Sequence, residues 1–136
     1  MDRIDLQLLG GRGGSSGMKE RSEDFNRGYE SIKYTYGGDK GISYGTNTLY
    51  ADYLTDEQKY KEIRKGEGFQ GDYVKYHEEI IKALKAEITE EWEREEYRGQ
   101  RSKGEQRGIE AAANEEIKRQ KKFIKDFKKL YAKFEK

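Results

Sequence analysis

Side chains able to do covalent chemistry are scarce in this chain. It has one histidine, His77, and no cysteine. Nucleophile–base pairing of the serine or cysteine type therefore has a single base to draw on. His77 opens the run His77-Glu78-Glu79-Ile80-Ile81. A zinc-binding helix of the His-Glu-x-x-His type needs its second histidine where Ile81 stands. His77 instead falls on an apolar helical stripe, which predicts a packed side chain. Without cysteine there is no thiolate zinc site and no disulfide framework. Glu87, Glu90, Glu91, Glu93, Glu95 and Glu96 form an acidic block. No second element supplies further ligands, so the block reads as a solvated helix face and not a metal site. The run Gly10-Gly11-Arg12-Gly13-Gly14-Ser15-Ser16-Gly17 lacks the lysine of a phosphate loop and the glycine spacing of a dinucleotide loop. These residues predict no catalysis, no metal and no cofactor.

Three features predict binding. Arg12, set among flexible glycines and serines, is free to meet a phosphate or a protein groove. Nine of the 11 tyrosines lie between Tyr29 and Tyr76. Tyrosine gives contact area at low entropic cost and also carries a hydroxyl, so Tyr36, Tyr44 and Tyr50 are candidate contact residues. The last helix is basic, and Lys122, Lys125 and Lys129, with Lys118, Arg119 and Lys133, are candidate phosphate ligands. A plainer reading sets these cations opposite the acidic block, where interhelical ion pairs would fix register more than stability.

The elements that must position these residues follow from composition and period. The chain has 136 residues, 40% charged and 32% hydrophobic, with 28 basic and 27 acidic residues for a net charge of +1. That suits one domain with a narrow core, which a partner or a homodimer contact would extend. No apolar run reaches the roughly 20 residues that cross a bilayer. The start, with Asp2, Arg3 and Asp5 before a short apolar stretch, does not fit a secretory signal.

Thirteen of the 16 glycines lie in residues 1–71, so the first half reads as loop and strand and the second as helix. Residues 1–28 read as a flexible arm. Ile32, Tyr34 and Tyr36, then Ile42, Tyr44, Thr46, Thr48 and Tyr50, alternate around a Gly/Asp turn and predict a β-hairpin over 29–50. Thr55 and Gln58 fit a capping box opening a helix over about 55–65. Asp72 is a fitting cap for a helix over about 73–98, and Ser102 with Glu105 fits another capping box, opening a helix over about 105–134. Stripes at Tyr73, His77, Ile80, Leu84, Ile88 and Trp92, and at Ile109, Ala113, Ile117, Ile124, Phe127, Tyr131 and Phe134, predict an antiparallel helix pair. The expected class is α+β, mainly helical.

The segment Ile4-Asp5-Leu6-Gln7-Leu8-Leu9, with the Gly/Ser run after it, resembles a leader of small proteins encoded near head genes of phages and prophages of Gram-positive bacteria. Asp5 and Leu9 stand where Asn and Phe are common in that leader. The resemblance implies a phage protein and no particular activity. It points to a non-catalytic binder of a head-region protein, located in the host cytoplasm or the virion. An anti-defence inhibitor is the alternative; the chain resembles anti-CRISPR proteins in its small size, high charge and phage-like leader, and would then block a host nuclease. A further alternative, read from the residues, is a single-stranded nucleic-acid binder that uses tyrosine stacking and the basic helix.

Overall fold

A computed structural model describes residues 16–89 and 101–135, with side chains from Glu23 onward. Every regular element among these residues is a helix: α1 (Ser16–Tyr36), α2 (Tyr44–Leu49), α3 (Asp56–Gln70), α4 (Tyr73–Ile88) and α5 (Lys103–Phe134). The hairpin expected over 29–50 is replaced by the end of α1 and by α2, and the α+β class gives way to an all-helical one among the described residues.

The reason lies in residues that satisfy two periods. Ile32 and Tyr36 alternate with polar neighbours, but Phe25, Tyr29, Ile32 and Tyr36 also recur at four, three and four residues, as a helix face requires. Phe25 stacks on Tyr29 at 6.1 Å and Ile32 is buried. Tyr34, which a strand would place on the face of Ile32 and Tyr36, is 76% exposed. The second half of the expected hairpin becomes helical through a local cap. Ser43 and Thr46 form a reciprocal capping box that starts α2.

The other N-caps predicted from sequence are present, the one at Ser102 without the reciprocal bond of a capping box. Thr55 and Gln58 bond reciprocally, the Asp72 carboxylate accepts from Lys75 N, and Ser102 Oγ accepts from Glu105 N. Gly66 does not end α3, which runs to Gln70 and stops at Gly71 with φ 98°. Within the described residues α4 extends to Ile88; the expected remainder to residue 98 falls mostly outside them.

α5 is the spine. α4 packs antiparallel to it: Tyr73 stacks on Phe127 at 5.9 Å, and at the other end Gln106 Nε2 donates to the Ile88 carbonyl at 3.2 Å. α1 runs parallel to α5, with Arg27 beside Glu105 and Lys33 bonded to Glu116 at 2.7 Å. The α1–α5 crossing is close. A Cβ on Gly28 would lie 2.0 Å from the Glu105 carbonyl oxygen, and one on Gly108 would lie 2.0 Å from the Phe25 carbonyl oxygen. Two apolar clusters result. Ile32, Leu84, Ile109, Ala112, Ala113 and Ile117 fill the space among α1, α4 and α5. Leu49, Ile63, Tyr73, Phe123, Phe127 and Leu130 fill the space where α2 and α3 close over the far end of α5. Glu67 stitches this end, accepting from Tyr73 N at 2.8 Å and from the Tyr131 hydroxyl at 3.0 Å.

The crossing predicts opposite signs for one substitution at two helical glycines. Gly108→Ala meets main chain, and we expect a loss of about 1–3 kcal/mol in urea unfolding. Gly68→Ala meets nothing within 4 Å, and we expect a gain of about 0.5–1 kcal/mol. Equal effects at the two sites would contradict the close crossing.

Candidate functional site

Between the two apolar clusters sits a polar junction. His77, on the apolar stripe of α4, is completely buried. Its Nδ1 lies 2.5 Å from Gln120 Oε1 of α5. Gln120 Nε2 donates to the Gly41 carbonyl at 2.9 Å, so the amide oxygen must face the ring. Nδ1 therefore carries the proton and Nε2 accepts. Two hydroxyls reach Nε2: Thr46 Oγ1 at 2.8 Å and Ser43 Oγ at 3.0 Å. They are 2.7 Å from each other, so one donates to the ring and the other to its neighbour. The rings of Phe123, Phe127 and Tyr76 surround the imidazole. Burial holds the His77 pKa below its ordinary value, against the Gln120 hydrogen bond that raises it, and the charge of Arg119 lowers it further.

A hydroxyl, an imidazole and an amide in line have the outline of a nucleophile, base and orienter. The details fit a tie. Ser43 Oγ already accepts from Thr46 N at 3.1 Å, in the cap of α2, and only 8% of Ser43 is exposed. What the arrangement does is fasten the 41–46 segment to α4 and α5 at once.

That fastening sets the aromatic surface. Tyr44, next to Ser43, is 72% exposed. It separates two shallow depressions, one bounded by Tyr76 and the other by Phe69. Phe69 and Tyr76 are also exposed. Beneath them lies the buried ring of Tyr73. A Cβ on Gly45 would fall 2.4 Å from that ring, and one on Gly66 would fall 2.4 Å from its hydroxyl, so both glycines make room for it. Tyr44 was among the expected contact residues; Phe69 and Tyr76 were not. Phe69 sits in a glycine-rich stretch that reads as a loop. Tyr76 stands off the apolar stripe of its own helix, and that displacement was the available signal.

The remaining candidates separate. Arg12 lies outside the described residues. Tyr36 is half-buried against the first apolar cluster, and its carbonyl accepts from Arg119 at 3.0 Å. Tyr50 and Lys122 come together around Asp126. The Tyr50 hydroxyl donates to that carboxylate at 2.5 Å, Lys122 Nζ bonds it at 2.8 Å, and the ammonium lies 4.9 Å from the Tyr50 ring centre. Burial and the Asp126 carboxylate push the Tyr50 pKa up to about 12. Burial alone would raise Asp126, but the bonds from Lys122 and Tyr50 outweigh it and hold its pKa below the usual carboxylate range. Lys125 and Lys129 stand exposed on α5. Of the acidic block expected to pair with the α5 lysines, residues 90–96 lie outside the described residues. Glu87, the described member of the block, lies 3.7 Å from Arg101, near the start of α5 and far from the lysines. Among the described residues no cluster of three or more potential metal ligands occurs, and no helix is long and apolar enough to cross a membrane.

Comparisons with protein-family models, with curated proteins and with solved structures find no match.

The neutral His77 predicts a pH dependence. Its folded pKa is lowered, so its contribution is complete above the unfolded value of about 6.5 and is lost as pH falls below it. Urea midpoints should drop between pH 7.5 and 5.5. His77→Gln should be less stable at pH 7.5 and show a smaller drop. An equal drop in parent and variant would contradict a buried neutral imidazole.

Proposed function

We propose that this chain acts without catalysis, by gripping a protein partner through the aromatic surface of Tyr44, Phe69 and Tyr76. The exposed position of these three large rings, on a base fixed by Tyr73 and the His77 junction, carries the reading. Three aromatic side chains left in water beside one another are unfavourable in an isolated molecule. Aromatic anchors seated on a rigid base are the usual source of binding energy at protein interfaces. Tyr44 and Phe69 rim one depression and Tyr44 and Tyr76 the other, so a partner side chain entering either would be flanked by rings.

The leader at residues 4–17 favours a phage setting, with a virion head-region protein as partner, in the host cytoplasm or on the particle. A host defence nuclease, blocked by contact in the manner of anti-CRISPR proteins, is the alternative partner under the same surface.

Affinity capture from phage-infected Gram-positive cells, with the parent chain beside a Tyr44→Ser/Phe69→Ser variant, tests this. We expect a phage head protein or a host nuclease to be retained by the parent and reduced at least tenfold with the variant. The same protein held equally by both would contradict the aromatic surface as the contact.

A further inference from the structure

The antiparallel register carries Glu87, near the end of α4, away from the lysines of α5. Tyr73 lies against Phe127, His77 against Gln120 and Ile88 against Gln106, so the end of α4 meets the beginning of α5. Between Lys118 and Phe134 there are eight basic residues, and the one acidic residue is Asp126. Phe123, Phe127, Leu130 and Gln120 define the buried side of this stretch. Lys118, Lys121, Lys125 and Lys128 follow each other at three or four residues on the opposite side, and Lys129 flanks them. These five are exposed and make no ion pair among the described residues. From Lys118 to Lys129 the row spans about 16 Å at the helical rise.

Around the row, charge is nearly all positive. Lys122 is paired with Asp126, and Lys133 with Asp56 of α3. Lys59 of α3 lies beside the same depression as Lys129 and Lys133. Arg119 is turned away from the row, bonded to Glu116 and to the carbonyls of Tyr36 and Gly38.

We propose that this face of α5 binds the phosphate backbone of a nucleic-acid duplex without reading its sequence. The charge complementarity is direct: five exposed ammonium groups on one rigid rod, none in an ion pair among the described residues, need no rearrangement to meet phosphates. Lysine is a point charge that suits phosphate and lacks the fixed fork with which arginine reads a base edge. Sequence reading needs Arg, Asn or Gln aimed outward. Here Arg119 is engaged and Gln120 is buried. A single strand would be favoured by rings for base stacking. Of the aromatic residues of this stretch, Phe123 and Phe127 are buried, Tyr131 is half-buried and the exposed Phe134 stacks on Tyr60 at 5.0 Å, and the Tyr50 hydroxyl beside Lys122 is held by Asp126. A lipid surface would be favoured by apolar side chains flanking the lysines, whereas the apolar side of α5 is covered by α1, α4, α2 and α3. This surface is separate from the aromatic one, so failure of either reading leaves the other in place.

Fluorescence anisotropy of a labelled 20-base-pair duplex of mixed sequence, titrated with the full chain between 20 and 200 mM NaCl, is the test. We expect binding at 50 mM salt, with log K falling against log salt at a slope of roughly −4 for five neutralised phosphates. Lys121→Glu/Lys125→Glu/Lys128→Glu should weaken binding at least tenfold and flatten the slope, with an unchanged circular dichroism spectrum. Lys82→Glu/Lys85→Glu, exposed on α4, should bind as the parent does. Unchanged binding by the triple variant, tighter binding to a single strand of equal length, or retention by phosphatidylserine vesicles without binding to the duplex would each overturn the proposal. So would no binding at 50 mM salt.

Discussion

One fully buried imidazole organises the distal half of this molecule. His77 is hydrogen-bonded at both ring nitrogens: Nε2 accepts from the Ser43/Thr46 cap of α2, and Nδ1 donates to the Gln120 amide of α5, which in turn donates to the Gly41 carbonyl. A buried polar group without partners is destabilising by about 1–3 kcal/mol, so each bond is obligatory once the ring is inside. α2 has six residues and would not hold its shape alone. It is helical and fixed in place because its capping hydroxyls are also the partners of His77. The orientation of Tyr44 follows from the same bonds.

The other half is organised by contact between main chains. Gly28 and Gly108 let α1 and α5 approach until no side chain separates them. That geometry suits a chain with few apolar residues. With only small side chains at the crossing, as at Ala112 and Ala113, dispersion between backbones replaces the bulk of a larger core. Ion pairs such as Lys33 with Glu116 then line the edge of the same seam. Covered by α1 and α4 along its length and by α2 and α3 at its far end, α5 has one side left for solvent, and lysines occupy it.

Local chemistry was legible in the sequence. Thr55, Asp72 and Ser102 satisfy amides within four residues of themselves, so type and spacing suffice to place the caps. The stripes of α4 and α5 are long enough for period alone to identify them and to pair them. Residues 25–36 were not legible in this way, because Ile32 and Tyr36 satisfy alternation and helical spacing equally. The deciding contact, Gly28 on α5, joins residues about eighty positions apart. Tyr44, Phe69 and Tyr76 come from three helices, and only the packing around Tyr73 makes them neighbours. The charge pairing expected of Glu87 failed for a different reason. It assumed that surface ions set the register, but exposed pairs contribute little. The packing of Tyr73 on Phe127 and of His77 on Gln120 sets it instead and carries Glu87 to the opposite end of the helix pair from the lysines.

The central claim is that His77 is a neutral, doubly bonded tie with its proton on Nδ1. Nitrogen-15 NMR of the imidazole ring tests it most directly. The account requires a protonated Nδ1 and an accepting Nε2 at neutral pH, and no titration near the ordinary histidine value of about 6.5. A ring protonated at Nε2, or one titrating at the ordinary value, would contradict it and release α2 from the place described here.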